Sequence, residues 1–135
     1  MSQLKAFVVE DSPVIRENLI AALEELAPVK VVGTAIDQAG AVQWLTNPDN
    51  ACDIAIIDIF LRHGSGIDVL RALHRAQVTF ERVVLTNYAT PDIRRQCLEL
   101  GASRVFDKSG EIDALMDHCL SLAPKLAPKL PNGRA

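Results

Sequence analysis

Five short apolar runs, each followed by a stretch of helical period, constrain the fold of this chain more than any other feature. The runs are KAFVVE (5–10), KVVGTAI (30–36), DIAIID (53–58), RVVLTN (82–87) and SRVFDK (103–108). They are brief and rich in β-branched residues, as strands buried on both faces tend to be. Between them the period changes. Val14, Ile15, Leu19, Leu23 and Leu26 trace an apolar stripe over 13–27, and Ser12 followed by Pro13 is a cap followed by a favoured first helical residue. Shorter stripes run over 38–46 (Ala39, Val42, Leu45), 66–76 (Ile67, Leu70, Leu73), 91–100 (Ile93, Cys97, Leu100) and 110–122 (Ile112, Leu115, Met116, Cys119, Leu120). A β-α unit repeated five times predicts an α/β fold: a parallel sheet with helices on both faces and right-handed crossovers. Periodicity alone leaves the strand order open.

With 135 residues, 49% of them hydrophobic, the chain can bury one core and is too short for two ordinary domains. The expected domain spans 4–122. The remainder, 123–135, repeats Ala-Pro-Lys-Leu with prolines at 124, 128 and 131, and reads as a flexible tail or linker stub without a function of its own. The net charge of −3 provides no basic field for nucleic acid or anionic lipid. Cys52, Cys97 and Cys119 lie in apolar patterns with no Cys-x-x-Cys pair, so buried thiols in a reducing compartment are expected rather than zinc or disulfides. With neither a leader-like N-terminus nor an apolar run near eighteen residues, the expected location is the cytoplasm, away from membranes.

In a parallel sheet, ligands bind beyond the carboxyl ends of the strands. The residues closing these runs are Glu10 and Asp11, Asp58, Thr86 and Lys108: three carboxylates, a hydroxyl and an ammonium. Taken singly, each has an ordinary structural reading as a helix cap, strand residue or solvated end. Taken together at one rim, the carboxylates would resist ionisation unless a cation lay among them, and a hard divalent ion such as Mg²⁺ suits oxygen ligands. With a metal present, the Asp58 carboxylate can attack a phosphoryl group, while Lys108 and the Thr86 hydroxyl offset charge on its oxygens.

The segments VVEDSP (8–13), IIDIFLRHGSG (56–66), VVLTN (83–87) and VFDKS (105–109) resemble the receiver domain of bacterial two-component response regulators, over about residues 4–122. The resemblance implies a flavodoxin-like, doubly wound (βα)5 fold with strand order 2-1-3-4-5, the order that also describes a known member of this family. It further implies that Asp58 is the phosphoacceptor. Glu10, Asp11, Asp58 and the Phe60 backbone carbonyl would surround Mg²⁺, or Mn²⁺ in its place. Thr86 would be the switch hydroxyl and Lys108 the phosphate-binding lysine. A sensor histidine kinase or phosphotransfer protein would donate the phosphoryl group, and a downstream protein partner would read the switched state, with the chain a monomer or a phosphorylation-dependent homodimer. Such a protein is a signalling switch that contributes chemistry to its own phosphorylation and dephosphorylation, not a turnover enzyme. Two alternatives are a phosphorylation-independent pseudo-receiver and the receiver part of a DNA-binding regulator. An aspartyl-nucleophile hydrolase would place a second acid at position 60.

Three positions depart from the family pattern. Arg62 and Ser109 replace common prolines, and the second change calls the usual cis peptide after the lysine into question. Val105 stands where an aromatic switch residue is typical, so the output face must respond by another route, with Tyr88 and Phe106 the nearby rings and Phe106 equally suited to the core. Phe60 and Tyr88, two residues after Asp58 and Thr86, border the phosphorylation site and are expected to restrict the attacking water. Arg94 and Arg95 read as a solvated helix face and, by the resemblance, as output contacts. His63, His74 and His118 lack metal-site spacing and read as loop or solvated residues. HGSG (63–66) is a turn, lacking any nucleotide-binding spacing.

Overall fold

The alternating pattern is realised as five parallel strands and five helices in the computed structural model, which describes residues 3–126. In chain order these are β1 (Leu4–Val9), α1 (Pro13–Leu26), β2 (Val29–Ala35), α2 (Gln38–Leu45), β3 (Ile54–Ile57), α3 (Gly66–Arg75), β4 (Glu81–Thr86), α4 (Pro91–Glu99), β5 (Arg104–Asp107) and α5 (Ile112–Leu126). The sheet order is β2-β1-β3-β4-β5, all parallel, the doubly wound flavodoxin-like topology.

Two apolar layers cover the sheet. Leu19 and Leu23 of α1 and Leu115, Met116 and Cys119 of α5 pack on one face against Ala6, Val8, Ile54, Ile56, Val83, Leu85 and Phe106. Ala41 and Leu45 of α2, Val69, Leu70 and Leu73 of α3 and Cys97 of α4 pack on the other, against Phe7, Val9, Ala55, Ile57, Val84 and Val105. Successive strand residues alternate between these layers, which is why β3 is buried along its whole length. Helix starts are capped as their sequences require: the side chains of Ser12, Asp37, Ser65 and Thr90 accept from the backbone N–H of Ile15, Gly40, Ile67 and Ile93.

The details differ from expectation in three places. The α1 stripe is narrower than its sequence implies: Val14 and Leu26 are exposed, because the first and last turns of the helix overhang the sheet. β3 begins at Ile54, and Asp53 instead accepts a hydrogen bond from the Lys5 backbone N–H with its side chain. Helix α5 continues through Pro124 to Leu126. The rest of the expected tail, from residue 127, lies outside the described residues. None of the described helices is long and apolar enough to cross a membrane.

Candidate functional site

Strand register brings the polar residues together. Val9 pairs with Ile57, so the next residues along, Glu10 and Asp58, emerge side by side from neighbouring strands. The Asp58 N–H donates to Val9 O (3.1 Å) and the Glu10 N–H to Ala35 O (3.0 Å), which carries sheet geometry one residue past each strand. β1 and β3 are also where the winding direction reverses, the crevice in which doubly wound sheets bind ligands. Across the same edge Thr86 pairs with Asp107, and the Lys108 N–H donates to Thr86 O at 2.9 Å.

Lys108 Nζ donates to Asp58 Oδ2 at 3.0 Å and also to Glu10 Oε1. Glu10 and Asp58 are buried and Lys108 nearly so. Oxygens of Glu10, Asp11 and Asp58 lie within 4.8 Å of one another. Burial pushes the Asp58 carboxyl above the usual carboxylate range, and the Lys108 contacts only partly offset this. Burial alone would lower the Lys108 ammonium, but the hydrogen bonds to Glu10 and Asp58 outweigh it and raise the group. One ammonium thus contacts two of the three clustered carboxylates, a donor set suited to a further hard cation. Among the described residues no hydrogen bond is accepted by the Phe60 carbonyl, which leaves its oxygen free for a ligand.

Local backbone explains the positions. The Ser12 N–H donates to Glu10 Oε2 (3.1 Å), and Arg16 reaches back to the Glu10 carbonyl (3.0 Å), so the start of α1 holds the first acid. Asp11 accepts from the Arg62 N–H at 2.6 Å, a bond that the proline expected at 62 could not donate. After Lys108, Ser109 ties both its N–H (2.8 Å) and its hydroxyl (2.6 Å) to Asp107, a side-chain turn in place of the expected proline, and no described peptide is cis. The Ser109 hydroxyl, followed by its N–H, holds the Asp107 carboxyl below the usual range.

Thr86 is fully buried, and its Oγ1 accepts from the Tyr88 N–H at 3.2 Å. The Phe60 and Tyr88 rings meet edge to face with centroids 4.8 Å apart, both exposed beside the acids. Val105 is buried in the α2–α4 layer, whereas Phe106 is fully buried on the other face, where it neighbours His118 and carries Arg104 over its ring. Phe106 is therefore core, not a mobile surface ring. Arg95 is exposed and pairs with Asp92.

Three residues behave in ways their sequence context hid. Arg94, read as a solvated face, bonds the carbonyls of Ala89 (Nε, 3.0 Å) and Val105 (Nη1, 2.8 Å) as well as Glu111 (Nη2, 3.0 Å). His118, read as solvated, is largely buried against Glu81 at 2.8 Å. Gly66 lies so close to the acceptor's backbone that an added Cβ would sit 2.1 Å from the Asp58 carbonyl oxygen. Only Gly66 left a signal, a glycine directly after a capping serine. Gly64, with φ of 86°, supplies the turn of HGSG.

Residues 6–120 match the response regulator receiver domain family. The chain is 30% identical over 100 residues to the DNA-binding transcriptional activator DevR/DosR of Mycobacterium tuberculosis, covering 74% of this chain and 45% of that protein. It is 24% identical over 105 residues to the response regulator UvrY of Escherichia coli, covering 78% and 47%. The chain spans about half the length of these curated relatives. Among solved structures, the receiver domain of the M. tuberculosis response regulator NarL superposes with a TM-score of 0.79 at 24% identity, covering 92% of this chain and 98% of that one. RcsB of Salmonella typhimurium superposes at 0.78 and 23%, covering 98% and 65%. With its sheet order and a match over most of its length, this chain belongs to the family of response regulator receiver domains of two-component signalling systems.

Proposed function

We propose that this receiver accepts a phosphoryl group on Asp58 from a phosphohistidine of a sensor kinase or phosphotransfer protein, and that the acyl phosphate switches affinity for a downstream partner. The observation that carries this reading is the buried Asp58 carboxylate, held 3.0 Å from Lys108 Nζ within a cluster of three acids. One Asp58 oxygen attacks phosphorus as the P–N bond to the donor imidazole breaks, and the nitrogen takes up a proton. Lys108 exchanges a carboxylate contact for a phosphoryl oxygen, and the Thr86 hydroxyl donates to another. Glu10, Asp11, Asp58 and the Phe60 carbonyl would hold Mg²⁺ or Mn²⁺, which supplies charge neutralisation at the transferring group. The phosphoryl group switches the protein only by binding one conformer better than the other.

The test is incubation with acetyl phosphate, with and without Mg²⁺, followed by intact mass measurement. The expected result is one phosphate adduct that requires Mg²⁺ and disappears in Asp58→Asn. An adduct that persists in Asp58→Asn, or none in the parent protein, overturns the reading. DevR/DosR is a DNA-binding activator of which this chain covers 45%, which favours an output at transcription through a segment other than the receiver itself.

A further inference from the structure

Resting on the phosphorylation reading, we infer that Arg94 is the positioning residue that carries the switch from the phosphorylation site to β5 and the start of α5. A closed ring of contacts supports it. Thr86 Oγ1 accepts from the Tyr88 N–H (3.2 Å), and the next residue, Ala89, offers its carbonyl to Arg94 Nε (3.0 Å). The same guanidinium reaches Glu111 Oε1 (3.0 Å), which also accepts from the Asp107 N–H (2.8 Å). Asp107 precedes Lys108, whose own N–H returns to Thr86 O (2.9 Å). The ring thus joins Thr86 and Lys108, whose side chains would meet the phosphoryl group, and within it Arg94 bonds three separate segments: Ala89 in the β4–α4 loop, Val105 in β5 and Glu111 just before α5.

The chemistry suits a relay rather than a strut. The Arg94–Glu111 pair is more than a third exposed on both sides, so it contributes little to stability and can re-form elsewhere. The planar fork of a guanidinium holds three acceptors at once, which one ammonium cannot do in the same geometry. The third acceptor is the carbonyl of Val105, at 2.8 Å, while the Val105 side chain is short and buried. Movement on β5 is therefore transmitted through its backbone, by way of Arg94, without a swinging ring. When the Thr86 hydroxyl turns to a phosphoryl oxygen, the Tyr88 N–H loses its acceptor, the 87–90 loop rearranges, and Arg94 carries the displacement of Ala89 to Val105 and Glu111.

The test is amide NMR of the ¹⁵N-labelled chain on adding beryllofluoride with Mg²⁺, a stable phosphoryl mimic. In the parent protein, shifts are expected at 86–90 and also at 104–107 and 111–115. In Arg94→Ala the shifts at 86–90 persist and those at 104–107 and 111–115 are lost. Arg94→Lys, which keeps the charge without the fork, behaves as Arg94→Ala and serves alone if the alanine variant does not fold. Shifts at 104–107 and 111–115 that survive in both variants overturn the relay while leaving the phosphorylation reading intact. No response in the parent protein overturns both.

Discussion

Phe60 and Tyr88 stand edge to face although both rings are exposed, an arrangement that leaves apolar area in water and that the proposed phosphorylation of Asp58 would explain if the rings cover the acceptor. Hydrolysis of an acyl phosphate on Asp58 needs a water in line with the O–P bond, and two rings bordering the acceptor narrow that approach. Replacing both by alanine is expected to shorten the phosphorylated half-life roughly five- to tenfold, corresponding to about 1–1.4 kcal/mol of barrier. The half-life is followed by mass after the phosphodonor is removed; an unchanged value refutes the shielding role. Tyr88→Phe, which keeps the ring, is expected to match the parent protein. At this scale the placement of polar side chains was readable: Glu10, Asp11, Asp58, Thr86 and Lys108 all lie at the carboxyl end of the sheet. Where a residue acts through its main chain, as the Arg62 N–H does on Asp11, the identity of its side chain carries no trace of the role.

Helix α3 begins against the backbone of Asp58 and Ile59. The Gly66 N–H donates to the Ile59 carbonyl at 2.8 Å, and a Cβ there would stand 2.1 Å from the Asp58 carbonyl oxygen and 2.8 Å from Ile59 Cα. Backbone atoms cannot rotate aside, so Gly66→Ala must displace either the helix start or the Asp58 loop. The expected cost is about 3 kcal/mol, a fall in Tm of roughly 10 °C, with phosphate uptake from acetyl phosphate impaired. Gly110, with nothing within 4 Å of an added Cβ, is the control, and Gly110→Ala is expected to leave Tm close to the parent value. Equal Tm for the two variants refutes the account. Elements were legible because short β-branched runs and stripes of helical period reflect burial directly. Their edges were less so: Val14 and Leu26 belong to the α1 stripe by spacing yet overhang the sheet, because what covers a helix end is decided by neighbouring strands. The internal bonds of Arg94 were not legible because a helix-surface arginine looks the same whether it meets water or the carbonyls of Ala89 and Val105.

The sheet divides the molecule into two apolar layers, and each holds one fully buried thiol: Cys119 with α1 and α5, Cys97 with α2, α3 and α4. Burial pushes both up to about 11, and burial followed by the nearby Asp53 charge pushes Cys52 up to about 12. A thiol raised in the folded state contributes stability that is fully present below its unfolded value of about 8.5 and is lost as pH rises through about 11. At about pH 8 the folded thiols therefore carry roughly two orders of magnitude less thiolate than unfolded ones, before their inaccessibility is counted. Alkylation by iodoacetamide must then wait for opening of the layer that contains each thiol. Both layers pack against the same β1, β3 and β4, so neither opens without exposing the other's strands. Cys97 and Cys119 are accordingly expected to label at one common rate, with chains modified at both of these sites accumulating ahead of chains modified at only one of them when mild urea slows reclosing. Rapid labelling of Cys97 with Cys119 protected would instead show that the α2–α4 layer detaches by itself, and that the face bearing Arg94 moves independently of the α1–α5 layer.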